Sequence, residues 1–256
     1  MPQYIYKQEL VFLSHLPCQC PYDLRVTKER GCILNNDVLL GIFDWYRLYN
    51  TTSNKDHDWH LERRWYKPIR VCRTWRHLIL TSPNRLDLHL VCTYGTPVED
   101  MLSRSPPLPL IIYYPAIPGK ISNVDEENAI FALQQPDRVR RIHFAAPTAV
   151  LCSLFKAMDC ELPMLDMLSL HLSTKNRTGL AVPERILAPL LRYLTLSNIS
   201  LPMQSQLLRR AENLVTLQLC DIPASPEFHP AHLVAQLSGM SRLESLIVQF
   251  YTPIPN

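Results

Sequence analysis

The sequence predicts an α/β protein in which a small all-α module is followed by repeating strand-and-helix units. Two observations lead to this fold class. Apolar side chains recur at helical spacing between residues 34 and 79, and a short apolar string recurs five times beyond residue 83. With 47% apolar and 19% charged residues, the chain of 256 residues can bury a substantial core. We expect three regions: a poorly organised N-terminal extension (1–32), the helical module (33–82) and the repeats (83–256).

Composition argues against several classes of function. Six glycines and no glycine-rich phosphate-binding string give no sign of a nucleotide site, and a net charge of +3 gives no case for nucleic acid. No run approaches the ~18 apolar residues that a membrane helix needs. We therefore expect a protein without a cofactor, located in the cytoplasm and/or the nucleus.

The eight cysteines are scattered, which disfavours a disulfide framework. Cys18 and Cys20, with His15 and Cys32 nearby, form the one cluster that resembles a metal site. Their spacing does not match the usual zinc-binding cysteine pair. We interpret them as ordinary thiols and expect no metal.

The first helix is predicted from residue 34 onwards. Asn35 or Asn36 can cap its start, and Asp37 lies in the first turn, where its charge suits the helix dipole. Apolar residues then recur at steps of three and four, which makes one helix face apolar. They are Val38, Leu39, Ile42, Phe43, Trp45 and Tyr46.

An insertion at 47–66 separates this helix from the next. Its stretch 50–58 is polar and predicts a loop, and a short helix is expected over 59–66. Pro68 suits the first turn of a further helix that runs to about Leu80. The apolar face of that helix is expected to comprise Val71, Trp75, Leu78 and Ile79.

Beyond residue 83 the string L-x-x-L-x-L recurs, with other aliphatic residues or Phe allowed. Successive copies begin 26, 26, 23 and 29 residues apart, close to the range of leucine-rich repeats. Alternating segments at 86–90 and 108–112 are interpreted as degenerate copies. The five copies are Val139-Ile142-Phe144, Leu165-Leu168-Leu170, Leu191-Leu194-Leu196, Leu214-Leu217-Leu219 and Leu243-Leu246-Val248.

Helices are predicted between the strings, at 97–104, 124–135, 147–158, 203–210 and 229–240. Such units bury their apolar faces by stacking, so we expect an irregular leucine-rich-repeat solenoid, a parallel sheet with outer helices. The alternative is an ordinary α/β sheet whose strands happen to begin with leucine. Because no polar cap follows the last string, we expect the solenoid to be truncated at its C-terminus or to pair its open end with a partner.

The helical module resembles the F-box. The resemblance rests on Leu34-x-x-Asp37-Val-Leu-Leu-x-Ile-Phe43 followed by Val71-Cys-Arg-x-Trp75-Arg-x-Leu78. More narrowly, the chain is similar over roughly residues 33–256 to fungal F-box proteins of the mushroom type, which carry C-terminal leucine-rich repeats. The segment 71–90 is the most specific part of the match.

The resemblance implies a substrate-receptor subunit of an SCF-type ubiquitin ligase, which takes part in ubiquitination without being an enzyme itself. Its F-box helices would dock on a Skp adaptor, and through it on cullin, while the repeats would bind a protein substrate. Carried over to this sequence, adaptor binding falls on Leu34, Val38, Leu39, Ile42, Phe43, Val71, Cys72, Trp75, Leu78 and Ile79.

Substrate binding is expected on residues that point outward between the core leucines of the strands. They are neutral and mixed, so the charge of the substrate cannot be read from them. The candidates are Met167, Ser169, Tyr193, Thr195, Thr216, Gln218, Ser245 and Ile247.

Two alternatives stay open. In the first alternative the chain is a non-catalytic leucine-rich-repeat interaction scaffold with a degenerate F-box. Two departures from the F-box pattern fit it: Asn35 stands where the family usually has proline, and the gap from Phe43 to Val71 is about twice as long as is common in the family. A hydrolase or metal-dependent enzyme would use His57 and His60 in the insertion. That cluster lacks the rigid supporting residues that catalysis requires, so we expect no catalytic residues.

Overall fold

The computed structural model describes residues 35–49, 67–83, 85–116, 121–173, 180–202, 204–222 and 230–250. The expectations for the extension 1–32, for residues 50–66 of the insertion and for Leu34 fall outside these residues. The helices are α1 (Asn36–Tyr49), α2 (Arg73–Leu80), α3 (Val98–Arg104), α4 (Asn123–Leu133), α5 (Thr148–Ala157), α6 (Gln206–Arg209) and α7 (Pro230–Leu237). The strands are β1 (Leu90–Cys92), β2 (Leu110–Tyr114), β3 (Val139–Ala146), β4 (Met167–Leu172), β5 (Tyr193–Ser197), β6 (Thr216–Ile222) and β7 (Ser245–Phe250).

The strands form one seven-stranded sheet whose spatial order is the order of the chain, β1 to β7. Each pair from β2–β3 to β6–β7 is parallel. A parallel strand cannot be reached by a tight hairpin, which is why helices or long connections separate the strands. The α/β class and the parallel sheet that the sequence predicts are thereby confirmed.

Two columns of apolar side chains run across the sheet and form its core face. The register aligns Ile142, Leu168, Leu194 and Leu217 in one column, and Leu194 and Leu217 are fully buried. Phe144, Leu170, Leu196 and Leu219 form the second column. Burying a leucine side chain stabilises a fold by about 1.5–3 kcal/mol, so each buried leucine of these columns stabilises the sheet.

A tight turn precedes four of the strands at the same position. The N–H of Leu165 donates to the carbonyl of Leu162, and Leu191, Leu214 and Leu243 make the same bond to the residue three positions earlier. Those acceptor residues are also buried, and the sequence analysis missed them. They are Leu162, Ala188, Ala211 and Met240.

The α4 helix begins with a capping box that also holds a loop. Ser122 Oγ accepts from the N–H of Asp125, and Asp125 accepts from the N–H of Ser122. Asp125 is buried and also accepts from the N–H of Gly95 at 2.6 Å. Gly95 has a φ of 64°, which a residue without Cβ adopts at little cost.

Contacts divide the chain into two compact units. The first unit covers residues within 1–91 and 101–109, and among them the structure describes α1, a 3₁₀ turn at Pro68–Arg70, and α2. The second covers residues within 92–100 and 110–256, and contains β2 to β7. Among the described residues, no helix is long and apolar enough to cross a membrane.

Three local expectations are wrong. The single helix expected from Pro68 to Leu80 is a 3₁₀ turn and α2, because Cys72 is extended (φ −155°, ψ 171°) and breaks the helix between them. The strand expected at 86–90 begins at Leu90, and Leu86 lies in a turn. Leu246, expected in the core, is 47% exposed, because β7 is the last strand of the sheet and has a neighbour on one side.

The five helices expected between the strings are confirmed, with shorter bounds. Four of them are shorter than expected by one to three residues at one end or at both ends. Helix ends fray, so boundaries predicted from a sequence commonly differ by one or two residues. The expected helix at 124–135 begins one residue earlier, at Asn123, because Ser122 provides the cap.

Candidate docking surfaces

The α1 helix begins at a side-chain cap. Asn35 Oδ1 accepts from the N–H of Asp37 at 3.3 Å, as the sequence analysis expected of an asparagine at this place. Asp37 also forms an exposed ion pair with Arg85, with 3.0 Å between Oδ1 and Nη1. An exposed pair of this kind adds at most about 1 kcal/mol, so the cap fixes the start of the helix more than the ion pair does.

One side of α1 holds the first unit together. Leu39, Leu40 and Phe43 are buried, and the ring of Phe43 meets that of Trp75 on α2 edge to face at 4.8 Å. Such an aromatic pair contributes about 0.5–1.5 kcal/mol beyond its burial. Four of the residues assigned to adaptor binding therefore support the helices from inside: Leu39, Phe43, Leu78 and Ile79.

The other side of α1 carries exposed apolar residues at helical spacing. Val38 is 48% exposed, Ile42 44% and Trp45 61%. Positions i, i+4 and i+7 lie on one face, so the three form a continuous stripe, the α1 stripe. Gly41 flanks the stripe, and a Cβ built on it would have no atom within 4 Å.

Val71 and Cys72, both assigned to the adaptor, precede α2 and differ in role. Val71 is 48% exposed, whereas Cys72 is half-buried. Cys72 Sγ accepts from the N–H of Trp75 at 3.5 Å and caps α2. Trp45 also belongs to the exposed apolar surface, although it is not among the residues that the resemblance assigns to adaptor binding. Its position seven residues after Val38 indicates the same helix face.

The face of the sheet opposite the core columns, here the outer face, carries the residues assigned to substrate binding. Their register places them in two rows across the strands. Met167, Tyr193, Thr216 and Ser245 form one row, and Ser169, Thr195, Gln218 and Ile247 form the other. The structure thus brings all eight residues to one face.

The rows also contain residues that sequence analysis did not assign. Arg141 extends the first row, while Tyr113 and His143 extend the second. The rings of Tyr113 and His143 are stacked, with centroids 4.9 Å apart. Ser169, next in that row, is 8% exposed and offers a partner little area.

An arginine cluster lies where β3, β4 and β5 begin. Asp166 accepts from Arg140 Nε at 2.9 Å and from Arg141 Nε at 3.4 Å. Arg192 is exposed and lies with its guanidinium carbon 5.6 Å from the centroid of the Tyr193 ring. Backbone bonds align the cluster, because Asp166 N–H donates to the Arg140 carbonyl and Arg192 N–H to the Asp166 carbonyl.

A shallow depression of ≈ 350 Å³ lies beside α5. Its lining mixes acidic and basic side chains, among them Lys156, Asp159, Glu184 and Arg185. Burial raises the pKa of the nearby Cys160 thiol, and the negative charge of Asp159 raises it further by a smaller amount. A raised pKa leaves less thiolate at neutral pH, which does not favour a nucleophilic role.

Among the described residues, Arg138 is the other group with a shifted pKa. Desolvation by burial lowers the pKa of Arg138, an effect that Cys92 opposes. Within the described ranges, no group of three His, Cys, Asp or Glu side chains could hold a metal ion. The Cys18–Cys20 and His57–His60 clusters lie outside those ranges.

Comparison with protein-family models, with curated proteins and with solved structures finds no match for this chain.

Proposed function

We propose that this chain is a substrate-receptor subunit of an SCF-type ubiquitin ligase. The helices of the first unit dock on a Skp adaptor, and the outer face of a leucine-rich-repeat sheet binds a protein substrate. The observation that carries the proposal is the α1 stripe, an exposed apolar surface formed by Val38, Ile42 and Trp45.

The stripe supports docking because the opposite side of the same helix is already occupied. Leu39, Leu40 and Phe43 are buried within the unit, whereas Val38, Ile42 and Trp45 remain 44–61% exposed. Amphipathic helices bind grooves through anchors at i, i+4 and i+7, which is the spacing of the stripe. Exposed apolar side chains in a contiguous group are typical of interaction sites.

Asn35 does not weaken this proposal. Its side chain caps α1, so the helix starts at a fixed residue even though the family's usual proline is absent. The regular order of β2 to β7 and the aligned leucine columns support the repeat part of the proposal.

The test is co-purification of the chain with a Skp adaptor. Val38→Glu/Ile42→Glu should abolish the complex, because it places two charges in the docking surface without touching the buried side of α1. The control is Val124→Glu/Val234→Glu, which makes the same change at exposed helical positions of the second unit and should still form the complex.

Phe43→Ala/Trp75→Ala would be a poorer test, because it removes the ring contact between α1 and α2. A loss of binding could then come from unfolding of the unit. Wild type that stays free in excess adaptor would overturn the proposal and favour the scaffold with a degenerate F-box. Equal binding by both double variants would show that the α1 stripe is not the docking surface.

A further inference from the structure

The last strand of the sheet, β7, has an open edge on the side away from β6. Among the described residues, β7 pairs with β6 alone, and Leu246, Ile247 and Phe250 are 45–48% exposed. The strand at the other end of the sheet, β1, is three residues long and fully buried. Proteins protect edge strands with short length, charges or proline, whereas β7 has six residues, none of them charged and none proline. The open edge therefore has the properties of a pairing surface.

The backbone groups that face the open edge can be identified from the pairing of β7 with β6. The N–H of Ser245 donates to the carbonyl of Val215 at 3.0 Å, so the backbone groups of Ser245 point toward β6. Successive residues of a strand point their N–H and C=O groups to alternate sides. Those of Leu246, Val248 and Phe250 therefore point toward the open edge.

The side chains of the same three residues lie on the core face of the sheet. The residues of β6 that align with them are all buried, and they are Leu217, Leu219 and Ile222. Leu246, Val248 and Phe250 thus continue the core face to the end of the sheet. A strand that paired with the open edge would extend this apolar face and cover Leu246, which is exposed in the free chain.

We propose that the open edge pairs with β7 of a second copy of this chain, antiparallel and about a two-fold axis at Val248. In this register Leu246 lies opposite Phe250 of the second copy, and Val248 lies opposite Val248. Opposed residues of an antiparallel pair share one face and exchange two bonds where their backbone groups meet, so about six hydrogen bonds join the copies. A register that overlaps all six residues is excluded, because it sets edge-facing groups against groups already directed at β6.

Two observations favour a second copy over an unrelated strand. Because β7 is neutral, pairing it with itself sets no like charges opposite each other, an arrangement that would destabilise the pair. The two-fold register also places an apolar residue opposite each edge-facing residue, and it uses the open edge of both copies at once, so assembly stops at a dimer. The dimer goes beyond the function proposed above and does not depend on it.

Sedimentation velocity of the full chain over a range of concentrations measures the association. Wild type should form dimers. Val248→Pro should raise the dissociation constant about tenfold or more, because each copy loses an edge-facing N–H donor. This change removes no bond to β6, since the N–H of Val248 points the other way, so far-UV circular dichroism should match that of wild type.

Two double variants test the register, because they change residues that face each other across the axis. Leu246→Lys/Phe250→Lys sets like charges opposite each other and should give monomers. Leu246→Lys/Phe250→Glu sets opposite charges against each other and should associate more tightly. Within one copy the two positions lie about 13 Å apart, so the difference arises between copies. The control Val124→Lys/Leu190→Lys changes exposed apolar residues elsewhere and should leave the dimer intact.

Oxidative cross-linking tests the position of the axis. Val248→Cys places two thiols opposite each other with their Cα atoms about 5.5 Å apart, which a disulfide can bridge. Gln249→Cys is the matched control, since its two copies do not face each other in this register. Wild type, with its own eight cysteines, gives the background.

Wild type that remains a monomer at its highest soluble concentration would overturn the proposal and leave the open edge to a strand of a different protein. A dimer that withstands both Val248→Pro and Leu246→Lys/Phe250→Lys would overturn it too, as would cross-linking through Gln249→Cys in place of Val248→Cys. Val248→Pro should still co-purify with a Skp adaptor, because the α1 stripe lies in the first unit. The dimer and the ligase function can therefore fail separately.

Discussion

Phe43 and Trp75 join the two helices of the first unit, with their rings edge to face and their centroids 4.8 Å apart. Phe43 is buried, whereas Trp45, two residues later on α1, is mostly exposed. Two aromatic residues of one helix therefore have different roles. Phe43 packs inside the unit, and Trp45 lies on the exposed α1 stripe.

Phe43→Ala should destabilise the first unit by about 3–5 kcal/mol, because it leaves a cavity and removes the contact with Trp75. Trp45→Ala should cost less than Phe43→Ala, because the Trp45 side chain is 61% exposed, and it should weaken adaptor binding. Urea unfolding followed by far-UV circular dichroism measures both losses. Similar losses for the two variants would contradict the assignment of Phe43 to the interior and Trp45 to the surface.

Gly41→Ala should stabilise α1 by about 0.5–1 kcal/mol, since glycine is a poor helix former. A Cβ at this position meets no atom within 4 Å, so no clash offsets the gain. Thermal unfolding of the variant should show a higher midpoint. A lower midpoint would mean that Gly41 is packed more closely than the structure places it.

Leu194 and Leu246 occupy one core column at different depths. Leu194 is fully buried, and Leu246 is 47% exposed on β7. Leu194→Ala should therefore cost about 2–5 kcal/mol, and Leu246→Ala a small fraction of that. Denaturant titration of both proteins tests the difference, and comparable losses would show that β7 is covered in solution.

Asp125→Ala should cost about 2–3 kcal/mol, because it leaves the N–H of Gly95 and the capping box of α4 without their acceptor. Asp125→Asn should cost less, since the amide oxygen can still accept one of these bonds. Glu127→Ala, an exposed change on the same helix, should be near neutral. Amide hydrogen exchange at Gly95 should rise in Asp125→Ala and stay low in Glu127→Ala.

Much of the fold could be predicted because the pattern of apolar residues repeats. The L-x-x-L-x-L strings predict β3 to β7, and the leucines align in register as their spacing indicates. Leu162, Ala188 and Ala211, whose carbonyls accept the turn hydrogen bonds before the strands, were not predicted. These residues are all apolar, but they are not of one type, so they form no recognisable repeat in the sequence. The break at Cys72 was missed because a cap by a thiol has no strong sequence signature.

The amino-acid pattern is enough to show which residues of each element are apolar and which face each element can bury. Which of those apolar residues remain exposed depends on tertiary packing, because a side chain is covered only where a neighbouring element lies against it. Val38 and Phe43 are both apolar residues of α1, yet only Phe43 is buried and lies against Trp75. Likewise, Asp166 and Arg192 are ordinary charges in the sequence, and only the parallel register brings them together with Arg140 and Arg141 in one cluster.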